Sequence, residues 1–472
     1  MNVIRNRWNR WTDGPGGASE VWRIAAPIVL SSASMTLMEF VDRLFLARYS
    51  TTAFRAALPA GMLSLTFALF FQALANYAGT FVAQYHGAGE RRKCTVATIQ
   101  GVWLALLTWP LGLLLIPVGG VIMGWMGHEP AMLREESIYY AILIGGCGSM
   151  GLICALGGFF GGRGETSTPM VASVVGNLSN IFFDYVLIFG KFGMPRLGIA
   201  GAAIATLLGG VVNLVWLTCK YLAPRLQDEF ATRRTWRPEW PLMFRIARFA
   251  IPSAFHSLLD TASFAIFLAL LGGLSAVDMV ANNVAFSVNS VAFMPLLGMS
   301  MATQILVGQY QGARDSAHAE RSAMSAIQIS WFYMGVVCLS FILIPQVYFK
   351  MFATSSGNEI PFDVLLAKGR PLLLMLGIWG MADAVNIVLN GALKGAGDTR
   401  FVLWVAIVLN WVFWIPPAFA AMRYFGENAL MPEWFLLMGN VLALALTFWI
   451  RFRRGKWKQI EVIEHAAAGS TP

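Results

Sequence analysis

Charge is what this chain is short of. Only 12% of its 472 residues are Asp, Glu, Lys or Arg, about half the share of a soluble domain. Meanwhile 57% are hydrophobic, and the mean hydropathy is +0.62. Long apolar runs with so few charges exclude a string of soluble domains and imply a polytopic membrane protein. Cysteine is scarce as well. The five (Cys94, Cys147, Cys154, Cys219, Cys338) are odd in number and mostly inside apolar runs, which argues against a disulfide framework or a thiolate metal site. No two histidines stand at metal-ligand spacing, and no nucleophile motif is present. The chain therefore reads as a non-enzyme without a cofactor. A cleavable signal sequence is missing too, because the first apolar run is long enough to span.

Twelve apolar spans are present, at roughly 24–47, 58–83, 97–122, 138–161, 168–190, 198–219, 249–271, 278–305, 324–346, 371–393, 401–421 and 431–450. With the amino terminus inside, the cytoplasmic segments hold 24 of the 34 Lys and Arg, against 9 in the outer loops. That asymmetry places both termini in the cytoplasm. It also explains the net charge of +9 through acidic lipid headgroups rather than nucleic acid. The head, residues 1–11, reads as a basic, aromatic cytoplasmic anchor.

The chain repeats itself. Ala25-Ala26-Pro27 answers Ala250-Ile251-Pro252, and Ser50 answers Ser275, both at an offset of 225. The same offset carries Val82–Glu90 (VAQYHGAGE) onto Val307–Asp315 (VGQYQGARD). At an offset of 233, Gly158–Thr166 (GFFGGRGET) meets Gly391–Thr399 (GALKGAGDT), and Asn177 meets Asn410. Six spans per half give the halves the same orientation, which predicts parallel repeats with substrate bound between them. The expected fold is all-α and integral to the membrane: twelve transmembrane helices in two six-helix bundles around a central cavity. The expected parts are a cytoplasmic segment 1–23, bundles 24–219 and 249–450, a basic linker 220–248 and a cytoplasmic tail 451–472. The repeated G-x-x-x-G-x-G-acid-Thr lacks the Lys-Ser/Thr of a phosphate loop and reads as a helix-ending turn.

Carboxylates inside apolar runs need a partner, a proton or an ion, since a lone charge in hydrocarbon costs at least ~2.5–3.5 kcal/mol. Asp42 lies five residues from the outer end of span 1 and Asp184 six from that of span 5, so both are roughly 8 Å inside the outer boundary. Asn180 and Asp184 share a helix face at i, i+4. Thr206, eight residues into span 6, also lies in the outer part, although membrane helices often spend Thr on their own carbonyls. Two carboxylates, an amide oxygen and a hydroxyl at one level suit a sodium ion or a shared proton. The plainer alternative for Asp42 is an interfacial pair with Arg43 snorkelling outward. Asp260 and Asp383 lie near the midplane of spans 7 and 10, where coupling, substrate binding and interhelical bonding are all open. His256, one turn before Asp260, is a proton relay or a packing histidine. Glu39, one turn before Asp42, lines the cavity or supports Asp42.

The chain resembles the multidrug and toxic compound extrusion (MATE) family from about Ala25 to Trp449. The matching pieces are Phe40-Val41-Asp42, Val82–Gly89, Asn180–Gly190, Gly198–Thr206, Pro252–Asp260 and Ala382–Thr399. The resemblance implies alternating-access export of amphipathic, mostly cationic organic compounds, driven by H⁺ or Na⁺, by a monomer in the bacterial inner membrane. It makes Asp42, Asn180, Asp184 and Thr206 the cation site, with Na⁺ as its candidate metal. Asp260 and Asp383 become coupling or substrate residues; Trp379, His256 and Glu39 are further candidates for substrate binding or a second coupling site, Glu39 without a family role. Sodium-driven members carry Glu at the first of these two positions and Tyr one turn before the second. Asp260 and Trp379 depart from that pattern, and an aromatic face beside an acid suits a substrate cation. The rivals are a flippase for a lipid-linked precursor, which needs several cations facing a pyrophosphate, and an integral-membrane enzyme, which needs clustered His or paired catalytic acids.

Overall fold

A computed structural model describes residues 12–353 and 361–464. The anchor expected at 1–11 and the end of the expected tail, 465–472, lie outside the described residues. Twelve described helices are long and apolar enough to cross a membrane: α1 Ala18–Tyr49, α2 Thr51–Gly87, α3 Arg91–Leu113, α4 Pro130–Gly162, α5 Ser167–Phe189, α6 Ile199–Tyr221, α7 Trp240–Gly273, α8 Ala276–Gly312, α9 Ser316–Leu343, α10 Phe362–Gly395, α11 Thr399–Asn428 and α12 Leu430–Arg453. Each expected span falls on one of them, usually with polar turns added at its ends. The third is the exception. The expected run to 122 breaks after Leu113, and a separate helix follows at Leu115–Trp125. Pro117 has no N–H for the carbonyl of Leu113, which ends the continuous ladder.

Sequence repetition becomes hydrogen-bond repetition. After α4, Glu165 N–H donates to Phe160 O at 2.9 Å and Gly164 N–H to Gly161 O at 2.8 Å. After α10, Asp398 N–H donates to Leu393 O at 2.8 Å and Gly397 N–H to Lys394 O at 3.1 Å, the same bonds at an offset of 233. Gly164 and Gly397 both take left-handed backbone, at φ +80° and +93°, as this helix-ending turn requires. The turns after α2 and α8 also match: Glu90 N–H bonds Tyr85 O at 2.9 Å, and Asp315 N–H bonds Tyr310 O at 2.8 Å.

Contacts sort the chain into two compact units. One holds the chain through Ala25 with Leu259–Val307 and Ser316–Ile460. The other holds Ala26–Leu258, Gly308–Asp315 and the chain from Glu461. The first turns of α7 and the last of α8 thus pack with α2–α6. In that unit the segment between α6 and α7 is strapped to α3. Thr95 Oγ1 donates to Phe230 O at 2.7 Å, Trp103 Nε1 donates to Trp236 O at 3.1 Å, and Glu239 N–H donates to Gln100 Oε1 at 2.8 Å. Arg163 is sandwiched between the rings of Phe159 and Phe230, at 4.9 and 4.3 Å, a cation–π pairing. In the other unit Arg321 on α9 donates to Asp13 O and Pro15 O at 2.8 and 2.9 Å, pinning the chain ahead of α1. Arg451 and Asp398 form a bidentate pair at 2.7 and 3.2 Å.

α11 departs from regular geometry. Residues Ile407–Trp414 wind as a π-helix immediately before Pro416 and Pro417. These prolines offer no N–H to the carbonyls of Val412 and Phe413 and crowd them, and the wider turn relieves that conflict.

Candidate functional site

The amino-terminal group rests on a backbone crossing of α5 and α6. A Cβ at Gly176 would stand 2.8 Å from Gly209 O, and one at Gly209 would stand 2.7 Å from Gly176 O and 2.8 Å from Asn180 Cβ. Only hydrogen fits at either position. The close approach lets Asn180 Nδ2 donate to Thr206 Oγ1 at 3.4 Å, while the Thr206 hydroxyl donates to its own helix at Ala202 O, 3.1 Å away. α1 is held to α5 by Asn177 Nδ2 donating to Ser34 Oγ at 2.8 Å. Phe45 adds ring contacts with Tyr185 and Phe189 at 6.2 and 5.7 Å. The pairing brings Asp42 close enough for its charge to act on Asp184. Tyr139 of α4 stands near enough to Asp42 to act on its carboxylate and lies in the field of both acids.

The chemistry of this pocket is in its orphaned atoms. Asp184 is 0% exposed and Asn180 is buried. Among the described residues, Asp42 Oδ1, Asn180 Oδ1 and both Asp184 oxygens have no hydrogen-bond partner. All four are acceptors. An acceptor-only set of oxygens in apolar surroundings is suited to a hard cation or a proton. Glu39 is half-buried, and its charge acts on Asp42 and Tyr139, so it stands with this group. Arg43 is exposed. Replacing Gly209 with Ala should push α5 from α6 at a cost of about 1–3 kcal/mol. A drop in melting temperature of the detergent-purified chain would check this. Gly210→Ala is the control, since its Cβ meets only Ile153 Cδ1 at 3.6 Å.

The carboxy-terminal group is a chain of amides ending on an acid. Asn440 Nδ2 donates to Asn410 Oδ1 at 2.9 Å, and Asn410 Nδ2 donates to Asp260 Oδ1 at 3.1 Å. Asp260 is exposed and also feels the charge of Lys394, a half-buried residue in the last turn of α10. Asp383 is buried, accepts from Asn386 Nδ2 at 2.9 Å and feels the charge of Asp260. Trp379 is 7% exposed, with Phe286 and Trp434 rings each 6.2 Å from its own in T-shaped contacts, so its ring is packed against neighbours. His256 is buried, in the part of α7 that packs with the amino-terminal helices, and is engaged by a neighbour.

Several residues of these groups escape the sequence reading, Asn386 among them. Tyr139 sits in an apolar span where an aromatic residue gives no polar signal. Lys394 looks like part of a turn, because the glycines around it mask the end of α10. Asn410 shows only as the repeat partner of Asn177, and Asn440 shows no signal.

Comparison with known proteins bears on the fold and the family. The probable multidrug resistance protein NorM of Thermotoga maritima is 26% identical over 446 residues, 94% of either chain. The multidrug resistance protein MdtK of Klebsiella pneumoniae is 28% identical over 407 residues, 85% of this chain and 87% of that one. A solved structure described as the outward-facing conformation of a multidrug resistance MATE family transporter of the MOP superfamily superposes with TM-score 0.82 and 18% identity, covering 95% of this chain and 98% of that one. A MOP superfamily transporter from Pyrococcus furiosus superposes with TM-score 0.81, also at 18% identity, covering 96% and 98%. The MatE family model matches residues 27–186 and 252–420, both halves of the repeat, and the chain belongs to that family of multi-pass membrane transporters, not to the membrane enzymes.

Proposed function

We propose that the chain is a cation-coupled exporter of amphipathic, mostly cationic organic compounds, working by alternating access in a bacterial inner membrane. Bundles 24–219 and 249–450 are the moving bodies, 220–248 links them, the protein acts as a monomer, and both termini are cytoplasmic. That orientation puts the ends of α1 and α5 outside. The observation that carries the reading is the acceptor-only pocket of Asp42, Asn180 and Asp184, with Thr206 at its edge. A proton or Na⁺ entering from outside binds there and favours the state that releases drug, which requires different ion affinity in the two states. Asp260 and Asp383 supply negative charge for the organic cation.

The flippase reading fits less well. It needs cations free to hold a pyrophosphate, yet Lys368 meets Asp278 at 2.9 Å, Arg451 meets Asp398 and the charge of Lys394 acts on Asp260. The test is transport of a fluorescent organic cation by the full chain in proteoliposomes, with a proton gradient and a sodium gradient imposed separately. Movement against its own gradient with one ion is the expected result. Movement with neither, alongside transfer of a lipid-linked pyrophosphate, would overturn the proposal.

A further inference from the structure

Seven residues into α4, counting from Pro130, stands Glu136, whose side chain is 0% exposed. The alanines of α2 at Ala53, Ala56 and Ala60, all buried with Tyr139 in one core cluster, let α4 come close. Its ionisable neighbour is His128, in the turn before α4. His128 Nδ1 lies 2.8 Å from Glu136 Oε1 and the His128 side chain is 29% exposed, although the ring is not aligned for a straight hydrogen bond. Glu136 Oε2 has no hydrogen-bond partner among the described residues. As packing this is a poor arrangement. A buried carboxyl with unfilled acceptors is commonly no more stable than an apolar residue of the same volume. Its place is informative. Glu136 and Tyr139 are i, i+3 on one face of α4, about 5–6 Å apart at Cβ, and Tyr139 stands near enough to Asp42 to act on it.

We propose that His128 and Glu136 form the outer port through which the coupling proton reaches the Asp42–Asp184 pocket, a reading that rests on cation-coupled export. His128 takes a proton from outside water and passes it from Nδ1 to the Glu136 carboxylate, becoming neutral again. Glu136 then hands it on toward Tyr139, across a gap that one bridging water closes. The phenol oxygen accepts that proton as its own moves to Asp42, so Tyr139 ends unchanged. A sodium ion has no use for a cationic imidazole, so the port is specific to protons. Other charges at this end are peripheral. Arg55 on α2, Glu129 beside His128 and Arg134 on α4 are exposed, and Glu135 is half-buried. Arg196, between α5 and α6, is stacked on Tyr49 of α1 at 4.7 Å. Arg43 is exposed and its charge acts on Asp42.

The test uses the full chain in proteoliposomes, reading proton-driven dye transport, its dependence on outer pH, and dye affinity at equilibrium. Glu136→Gln should slow transport by about tenfold or more, Glu136→Asp should recover part of it, and dye affinity should stay within twofold. His128→Ala should move the outer-pH profile, an effect that a merely structural residue would not produce. If Glu136→Gln does not fold, His128→Ala decides alone. Wild-type rates and pH profile in both variants, with Asp42→Asn inactive, would overturn the port and leave the proposed function standing. Transport driven only by sodium would also overturn the port. No transport by the wild type on either gradient would remove the proposed function, and the port with it.

Discussion

Asp42→Asn should reduce gradient-driven efflux to the level of empty vesicles while leaving the protein folded. The substitution keeps shape and removes charge. It also places an N–H₂ donor among atoms that lack one, since Asn180 Oδ1 and both Asp184 oxygens have no partner among the described residues. A new donor there satisfies acceptors that otherwise wait for a cation. The melting temperature should therefore hold or rise as transport disappears. That combination separates loss of coupling from loss of structure. Removing one member of an ordinary buried ion pair would instead destabilise the fold, commonly by about 3–5 kcal/mol. Efflux within twofold of wild type would sink the assignment, and so would a collapse in stability, which would make Asp42 a structural residue. Asp184→Asn should behave the same way, because it faces the same oxygens.

The amino-terminal pocket was largely legible in the sequence because its parts follow from helix arithmetic. Depth along a span places Asp42, Asp184 and Thr206 at one level, and the i, i+4 spacing puts Asn180 with Asp184. The suspicion about Thr206 also bears on the result: its hydroxyl is spent on Ala202 O and on accepting from Asn180, leaving it at the edge of the acceptor set. Arithmetic fails where the helix itself is irregular. Asn410 reaches Asp260 from a π-helical segment, and no 3.6-residue period predicts which way such a residue faces. Tyr139 fails for another reason. Its role depends on which face of α4 meets α2, a packing fact set by small residues such as Gly61, whose Cβ would come 3.7 Å from Tyr139 Cε1. The break between Leu113 and Leu115 was in principle readable from Pro117, but hydropathy bridges it because the residues on both sides are apolar.

The repeat carries a second strong expectation, at the ends of α2 and α8. A Cβ on Gly87 would stand 1.8 Å from Gln309 O, and a Cβ on Gly312 would stand 1.9 Å from Gln84 O. The two glycines and the two glutamines exchange places at an offset of 225, so the crossing is symmetric. Gln309 Nε2 adds a bond to Gly162 O at 2.7 Å. No side-chain rotation relieves either clash, because the obstacle is backbone. Gly87→Ala or Gly312→Ala alone should hold the two ends apart, with a stability loss of about 1–3 kcal/mol or more. If transport proceeds by alternating access, this contact must part and re-form in every cycle, and a variant that cannot re-form it completes no turnover. Efflux by either variant should fall to background while equilibrium dye binding persists. Gly335→Ala, on α9 with nothing within 4 Å of its Cβ, should transport at the wild-type rate. Wild-type efflux by Gly87→Ala would mean that the α2 and α8 ends never need to meet this closely, and the crossing would then be a resting contact with no part in the cycle.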